Sequence, residues 1–170
     1  MRLNKTLGAV SAVALLGGVL VGCASAGTTS SKAVADHTFS ATAAGKASDT
    51  TDTNHVCPSG QFTVISATGQ TADGNKFTLA AQHCRVSGKA TNGSGTMTMA
   101  NGDQIRVTYE SVWVLDSTGS KGNGTGPFKV VGGTGEFANV VGTLDHTCLT
   151  STSGSQPWPV EFTFKGTLTY

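Results

Sequence analysis

The sequence predicts an all-β protein whose strands run antiparallel and close into a barrel or stack as a sandwich. Three observations predict it. Apolar residues alternate with polar ones along several stretches after residue 60, and a period of two packs one face of a strand while the other stays wet. The chain carries 23 glycines and only 12% charged residues, where ordinary domains have about 25%. No window shows the i, i+3, i+4, i+7 apolar stripe of an amphipathic helix.

The first residues read as an address. Arg2 and Lys5 precede an apolar run from Leu7 to Val21, which is short for a membrane span and has the form of an export signal. It ends Leu20-Val21-Gly22-Cys23, which resembles a bacterial lipoprotein cleavage box. The resemblance implies that residues 1–22 are a signal peptide, removed before Cys23, and that the Cys23 sulfur carries diacylglycerol. Two or more acyl chains hold a protein to a bilayer where one does so only marginally. The expected location is the cell envelope: the outer membrane in a host that has one, otherwise the outer face of the plasma membrane.

Residues 23–36 are mostly Ala, Ser, Thr and Gly. They carry too little apolar area to offset ordering entropy, so a flexible tether is expected. The barrel domain is then 37–170, with its core in 56–170. That is enough chain for one core. Within 37–55, His37–Thr42 reads as a first strand and Asp49–Asn54 as a loop.

The strands follow from parity. Phe62, Val64 and Ser66 form one stripe, and Phe77, Leu79, Ala81 and His83 a second. Met97 and Met99 lead into Asn101-Gly102. Ile105, Val107, Tyr109, Trp113 and Leu115 form a third stripe, opposite Arg106, Thr108 and Glu110. Phe162, Phe164, Leu168 and Tyr170 close the chain. Asp73-Gly74, Asn92-Gly93, Asn101-Gly102 and Asn123-Gly124 offer the positive φ that hairpin turns use. Seven or eight strands result.

Phe128 to Leu144 is the clearest hairpin: Val130 and Val131 enter Gly132-Gly133-Thr134-Gly135, and Val140 and Val141 leave it. The glycines lack the Lys-Ser/Thr of a phosphate-binding loop, and no helix follows to receive an anion. The motif Gly-Gly-Thr-Gly-x-Phe, the Asn101-Gly102-Asp103 hairpin and the terminal strand Phe164–Tyr170 resemble the allene oxide cyclase and dirigent barrel superfamily over about residues 60–170. The resemblance selects a barrel over a sandwich. It implies an isomerase- or cyclase-type activity. Glu136 stands where that motif often carries a basic residue, and no residue matches the cyclase's catalytic set. A barrel mouth by its architecture suits a small apolar or amphipathic ligand, or the surface binds a partner; a purely structural surface lipoprotein with a filled core and no pocket is the third reading.

Three cysteines remain beside Cys23. If Val64 faces Phe77 and Phe62 faces Leu79, the same register sets Cys57 opposite Cys84, and a Cys57–Cys84 disulfide is expected; Cys84–Cys148 is the rival. His146 and Cys148 share a strand face, and His83 has the inward parity of Leu79. His83, His146 and Cys148 are therefore candidates for a ligand or metal site, with Tyr109 beside them, and Cys148 for a nucleophile. Backbone-bonded histidines are the plainer reading, and neither metal nor other cofactor is expected. Trp113 reads as core. Trp158, between Pro157 and Pro159, reads as a plug at a barrel end or a residue of its mouth. With Arg2 and Lys5 set aside, nine basic side chains face ten acidic ones, a balance that gives no case for nucleic acid. The expected partners are the bilayer, through acylated Cys23, and a small apolar ligand.

Overall fold

The structure is a computed structural model and describes residues 34–170. The signal, Cys23 and most of the tether lie outside the described residues. Eight antiparallel strands form a closed barrel: β1 (Asp36–Thr50), β2 (Gln61–Thr71), β3 (Lys76–Val86), β4 (Lys89–Met99), β5 (Gln104–Leu115), β6 (Lys121–Gly133), β7 (Val141–Ser151) and β8 (Trp158–Thr169). Each pairs with its sequence neighbours, and β1 pairs with β8. Closure leaves no strand edge unpaired. One 3₁₀ turn, Gly135–Phe137, bridges β6 and β7. It sets buried Phe137 under one end of the barrel, beside Tyr170, with ring centroids 5.0 Å apart.

The interior follows strand parity. β1 contributes Phe39, Ala41, Ala43 and Ala47, while its neighbour β8 contributes Val160, Phe162, Phe164 and Leu168. Small side chains on one strand thus make room for large ones on the next, and interiors reach solid-like packing this way. Met97, Ile105, Val107, Leu79, Phe128 and Leu144 fill the middle. The chain enters and leaves at one end, which holds the turns after β2, β4 and β6. The opposite, far end holds the β1–β2, β3–β4, β5–β6 and β7–β8 connections.

Several expectations are corrected. β1 runs to Thr50, so a strand occupies residues expected to begin a loop; Ala41, Ala43 and Ala47 are its inward stripe, too small to register as an apolar pattern. β2 and β3 pair with Phe62 opposite Cys84 and Val64 opposite Gln82, not with Phe77 facing Val64. The inward stripe of β2 is therefore Thr63, Ile65 and Ala67, and Val64 lies on the outside. Asn92-Gly93 and Asn123-Gly124 are not hairpin turns. Both lie within strands, β4 and β6, the first at a register shift between Ala90 and Gly93. Asp73-Gly74 and Asn101-Gly102 do turn the chain, with Gly74 and Gly102 at positive φ. Ser87-Gly88 makes the hairpin that Asn92-Gly93 had been expected to make, both residues at positive φ.

Candidate functional site

The disulfide is Cys57–Cys84, with Cα atoms 5.4 Å apart. The pairing is as expected, but its geometry differs. Cys57 sits in the β1–β2 connection, before β2 begins, and not opposite Cys84 in a ladder. Cys84 points outward yet is buried. The connection is drawn down by Asp52, whose carboxylate accepts the N–H groups of Val56 (3.0 Å) and Cys57 (2.6 Å). The rim beside it is built from β1, β2 and β3. The Arg85 guanidinium pairs with Asp49 and donates to Gln61, the Thr63 hydroxyl donates to Asp49 at 2.7 Å, and Arg85 lies 5.3 Å over the Trp158 ring. A guanidinium over an aromatic face is held by the ring quadrupole.

Inside this rim a cavity of about 380 Å³ enters the lumen at the far end. Its floor and walls are inward residues: Ala47, Thr63, Ile65, His83, Cys148 and Val160, with Trp113 and Trp158 at the sides. Larger depressions of about 950 and 780 Å³ lie on the outer wall around Thr42, Thr68 and Thr98 and over the chain-entry end. Neither reaches His83 or Cys148. β6 shapes the cavity by what it lacks. Its inward positions there are Gly122, Gly124 and Gly126. A Cβ on Gly124 would stand 2.7 Å from the Trp113 ring, so the indole occupies volume that a side chain would otherwise fill.

Below the cavity the histidines, Tyr109 and Cys148 form one polar layer. His83 and His146 are 3% and 4% exposed. The Tyr109 hydroxyl donates to the Gln82 carbonyl at 3.2 Å, which leaves it to accept from His83 Nδ1 at 2.9 Å; the neutral His83 ring then carries its lone pair on Nε2. His146 Nε2 lies 2.9 Å from Ser111 Oγ, and His146 Nδ1 has no partner. Tyr109 stacks on Phe128, 4.4 Å between centroids, and Phe128 packs on His146 at 4.3 Å. Burial lowers His83 to about 4, with the Arg85 charge acting the same way. It lowers His146 to about 4 as well. Burial pushes the Cys148 thiol up to about 12 and Tyr109 upward. At neutral pH the layer is therefore uncharged throughout.

The structure thus brings the four candidates together in one layer, with His83 bonded to the Tyr109 hydroxyl and His146 to the Ser111 hydroxyl. Among the described residues, no group of three or more His, Cys, Asp or Glu could hold a metal ion. A buried thiol with a raised pKa is inert as a nucleophile. Trp113 packs against the core as expected and also walls the cavity. Trp158 belongs to the mouth. Sequence reasoning missed Ser111, whose polarity on an inward stripe was the available signal, and missed the Gly122–Gly126 run, which reads as a loop until β6 is seen.

No protein-family model and no curated protein matches the sequence. Among solved structures, the pterocarpan synthase dirigent protein GePTS1 is similar in shape, at 12% identity and a TM-score of 0.44, covering 81% of this chain and 89% of that one. The overlap is loose, and the barrel assignment rests on the strand pairing itself.

Proposed function

We propose that the chain is an exported, lipid-anchored barrel that holds a small apolar or amphipathic molecule in its far-end cavity. The observation that carries this is the division of the lumen. Phe, Met and Leu fill it from the chain-entry end to the middle, and at the far end an open space of about 380 Å³ remains, walled by two indoles, Ile65 and Val160. That volume falls within the roughly 300–1,000 Å³ of ordinary small-molecule sites, which are mostly apolar with few polar groups. Anchoring at Cys23 is supported by the charged start, the short apolar run and the Leu-Val-Gly-Cys box. The uncharged polar layer, with its histidines lowered to about 4, favours holding a molecule over acid–base chemistry near pH 7.

The test is native mass spectrometry of the full chain taken from its own envelope, followed by a melting series with added apolar probes. A discrete adduct of a few hundred daltons, or a melting shift with a probe, supports the reading. A chain that leaves its envelope empty and melts unchanged with every probe overturns it.

A further inference from the structure

Inside the rim, the hydrogens of the cavity wall are already committed. The hydroxyl of Thr63 donates to Asp49, that of Thr150 to the Pro159 carbonyl at 2.9 Å, and that of Thr152 to the Gly119 carbonyl at 2.9 Å. The Cys148 thiol, a weak donor, has the Leu149 carbonyl at 3.9 Å. His83 is different. Its Nδ1–H is spent on the Tyr109 hydroxyl, which gives its own hydrogen to the Gln82 carbonyl. The lone pair of the neutral ring therefore sits on Nε2, and no described residue donates to it.

Nε2 is also within reach of an occupant. Among the described residues, the indole nitrogens of Trp113 and Trp158 and Nδ1 of His146 are buried polar atoms both unpartnered and wholly shielded, so they are closed to anything in the cavity. His83 Nε2 is equally unpartnered but is not shielded, although the residue is only 3% exposed. The space that His83 borders is the far-end cavity, and the atom opens there. Water can serve this lone pair while the cavity is wet. An occupant that displaces the water and brings no hydrogen strands a buried acceptor, which is costly.

Charge narrows the donor that fits. His83 is uncharged at neutral pH. Among the described residues, the one ionised side chain lining the cavity is Arg85, which Asp49 and Gln61 hold. An ammonium group has hydrogens to give Nε2, but it meets no free carboxylate, and burying its charge unpaired is strongly unfavourable. A carboxylate brings no hydrogen at all. We infer that the cavity selects neutral, largely apolar alcohols, and that the hydroxyl of the ligand donates to Nε2 of His83. The inference rests on the binding reading above and names its ligand class.

The chain contains two tryptophans, and both wall the cavity, so their emission follows occupancy. The purified full chain is titrated near pH 7 with three ten-carbon probes: 4-butylcyclohexanol, its isomer 1-methoxy-4-propylcyclohexane, and butylcyclohexane. The alcohol is expected to bind at least about fivefold tighter than the isomeric ether, whose oxygen can only accept. Nitrogen NMR spectra of the imidazoles in the unsubstituted chain read the contact itself. The His83 Nε2 resonance should move toward its protonated position with the alcohol and stay in place with the hydrocarbon. His83→Leu should bring the alcohol to within about twofold of the ether, and should hold butylcyclohexane within about twofold of its parent affinity, showing that the cavity still forms. Where that variant fails to fold, the parent spectra decide. Ether binding as tight as the alcohol, or an unmoved Nε2 resonance with the alcohol bound, overturns the ligand class but leaves the binding reading standing. If none of the three probes moves either emission or melting, both fall together.

Discussion

The Nδ1 of His83 stands 2.9 Å from the hydroxyl of Tyr109, 26 residues apart in sequence and both buried inside the barrel. The tyrosine ring is fixed separately, by stacking on Phe128. Its hydroxyl therefore serves the polar layer while its ring serves the apolar one. Tyr109→Phe keeps the stack and strands His83 Nδ1 without an acceptor. The expected loss is about 1–3 kcal/mol of folding free energy, measured by urea denaturation at pH 7. A variant as stable as the parent means the hydroxyl contributes nothing net.

Acid weakens this fold through its histidines. In the unfolded chain His83 and His146 have the ordinary value of 6.5; in the barrel, burial holds both at about 4. Above pH 6.5 both states are neutral and the histidines leave stability unchanged. As pH falls from 6.5 toward 4 the unfolded chain takes up protons that the barrel refuses, so stability drops across that window and levels off below it. The drop is of order 3 kcal/mol per histidine. Melting temperature measured from pH 7.5 to 4 should fall accordingly. His146→Gln should fall less steeply; a parallel decline would place the effect on other groups.

Gly124 makes room for Trp113. A methyl group there would come within 2.7 Å of the indole, and a packed interior gives little. Gly124→Ala should lose about 1–3 kcal/mol. In a Trp158→Phe background it should also shift the emission maximum, because Trp113 is then the reporter and has been displaced. An unshifted spectrum with unchanged stability counts against the packing described.

The disulfide and the free thiol behave oppositely. Cys57→Ser with Cys84→Ser removes a link spanning 27 residues, with an expected loss of about 3 kcal/mol on the chain-entropy account. Cys148 is 1% exposed, and its thiol is pushed up to about 12. It should resist iodoacetamide in native buffer and react once urea unfolds the chain. A non-reduced digest should yield Cys57 and Cys84 in one linked peptide; rapid native labelling of Cys148 would show that the lumen opens.

Anchoring is tested on the sequence feature that suggests it. Cys23→Ser should move the protein from the membrane pellet to the soluble fraction of its host. It should also abolish the mass increment of an acylated N-terminal peptide. Recovery of the variant in the pellet, at the parent's level, would set the anchor elsewhere.

The strand count and the antiparallel order were legible where large side chains alternate, as in Ile105, Val107, Tyr109 and Trp113. The barrel's first strand was half hidden, because Ala41, Ala43 and Ala47 bury as well as larger residues yet produce no apolar contrast. Register was hidden too: Phe62 and Val64 suggested an inward stripe, but Phe62 is buried on the outer parity and the true stripe is Thr63, Ile65 and Ala67. The correct disulfide was reached on a wrong register, since Cys57 lies in a connection that can approach Cys84 from outside the ladder. Of the site, His83, Tyr109, His146 and Cys148 could be singled out by parity. The orphaned indoles and the glycine-lined space could not, because they depend on which strands face each other across the lumen.

The pairing of the first strand with the last has a practical outcome. Ala35 and Tyr170 exchange backbone hydrogen bonds, each 3.2 Å long, so the two ends of the described chain are neighbours at the side of the molecule away from the cavity. A tag or reporter joined after Tyr170 leaves the opening clear. A circular permutant that splices 170 to 35 through a few residues, and starts afresh in an outer hairpin, has little loop entropy to overcome.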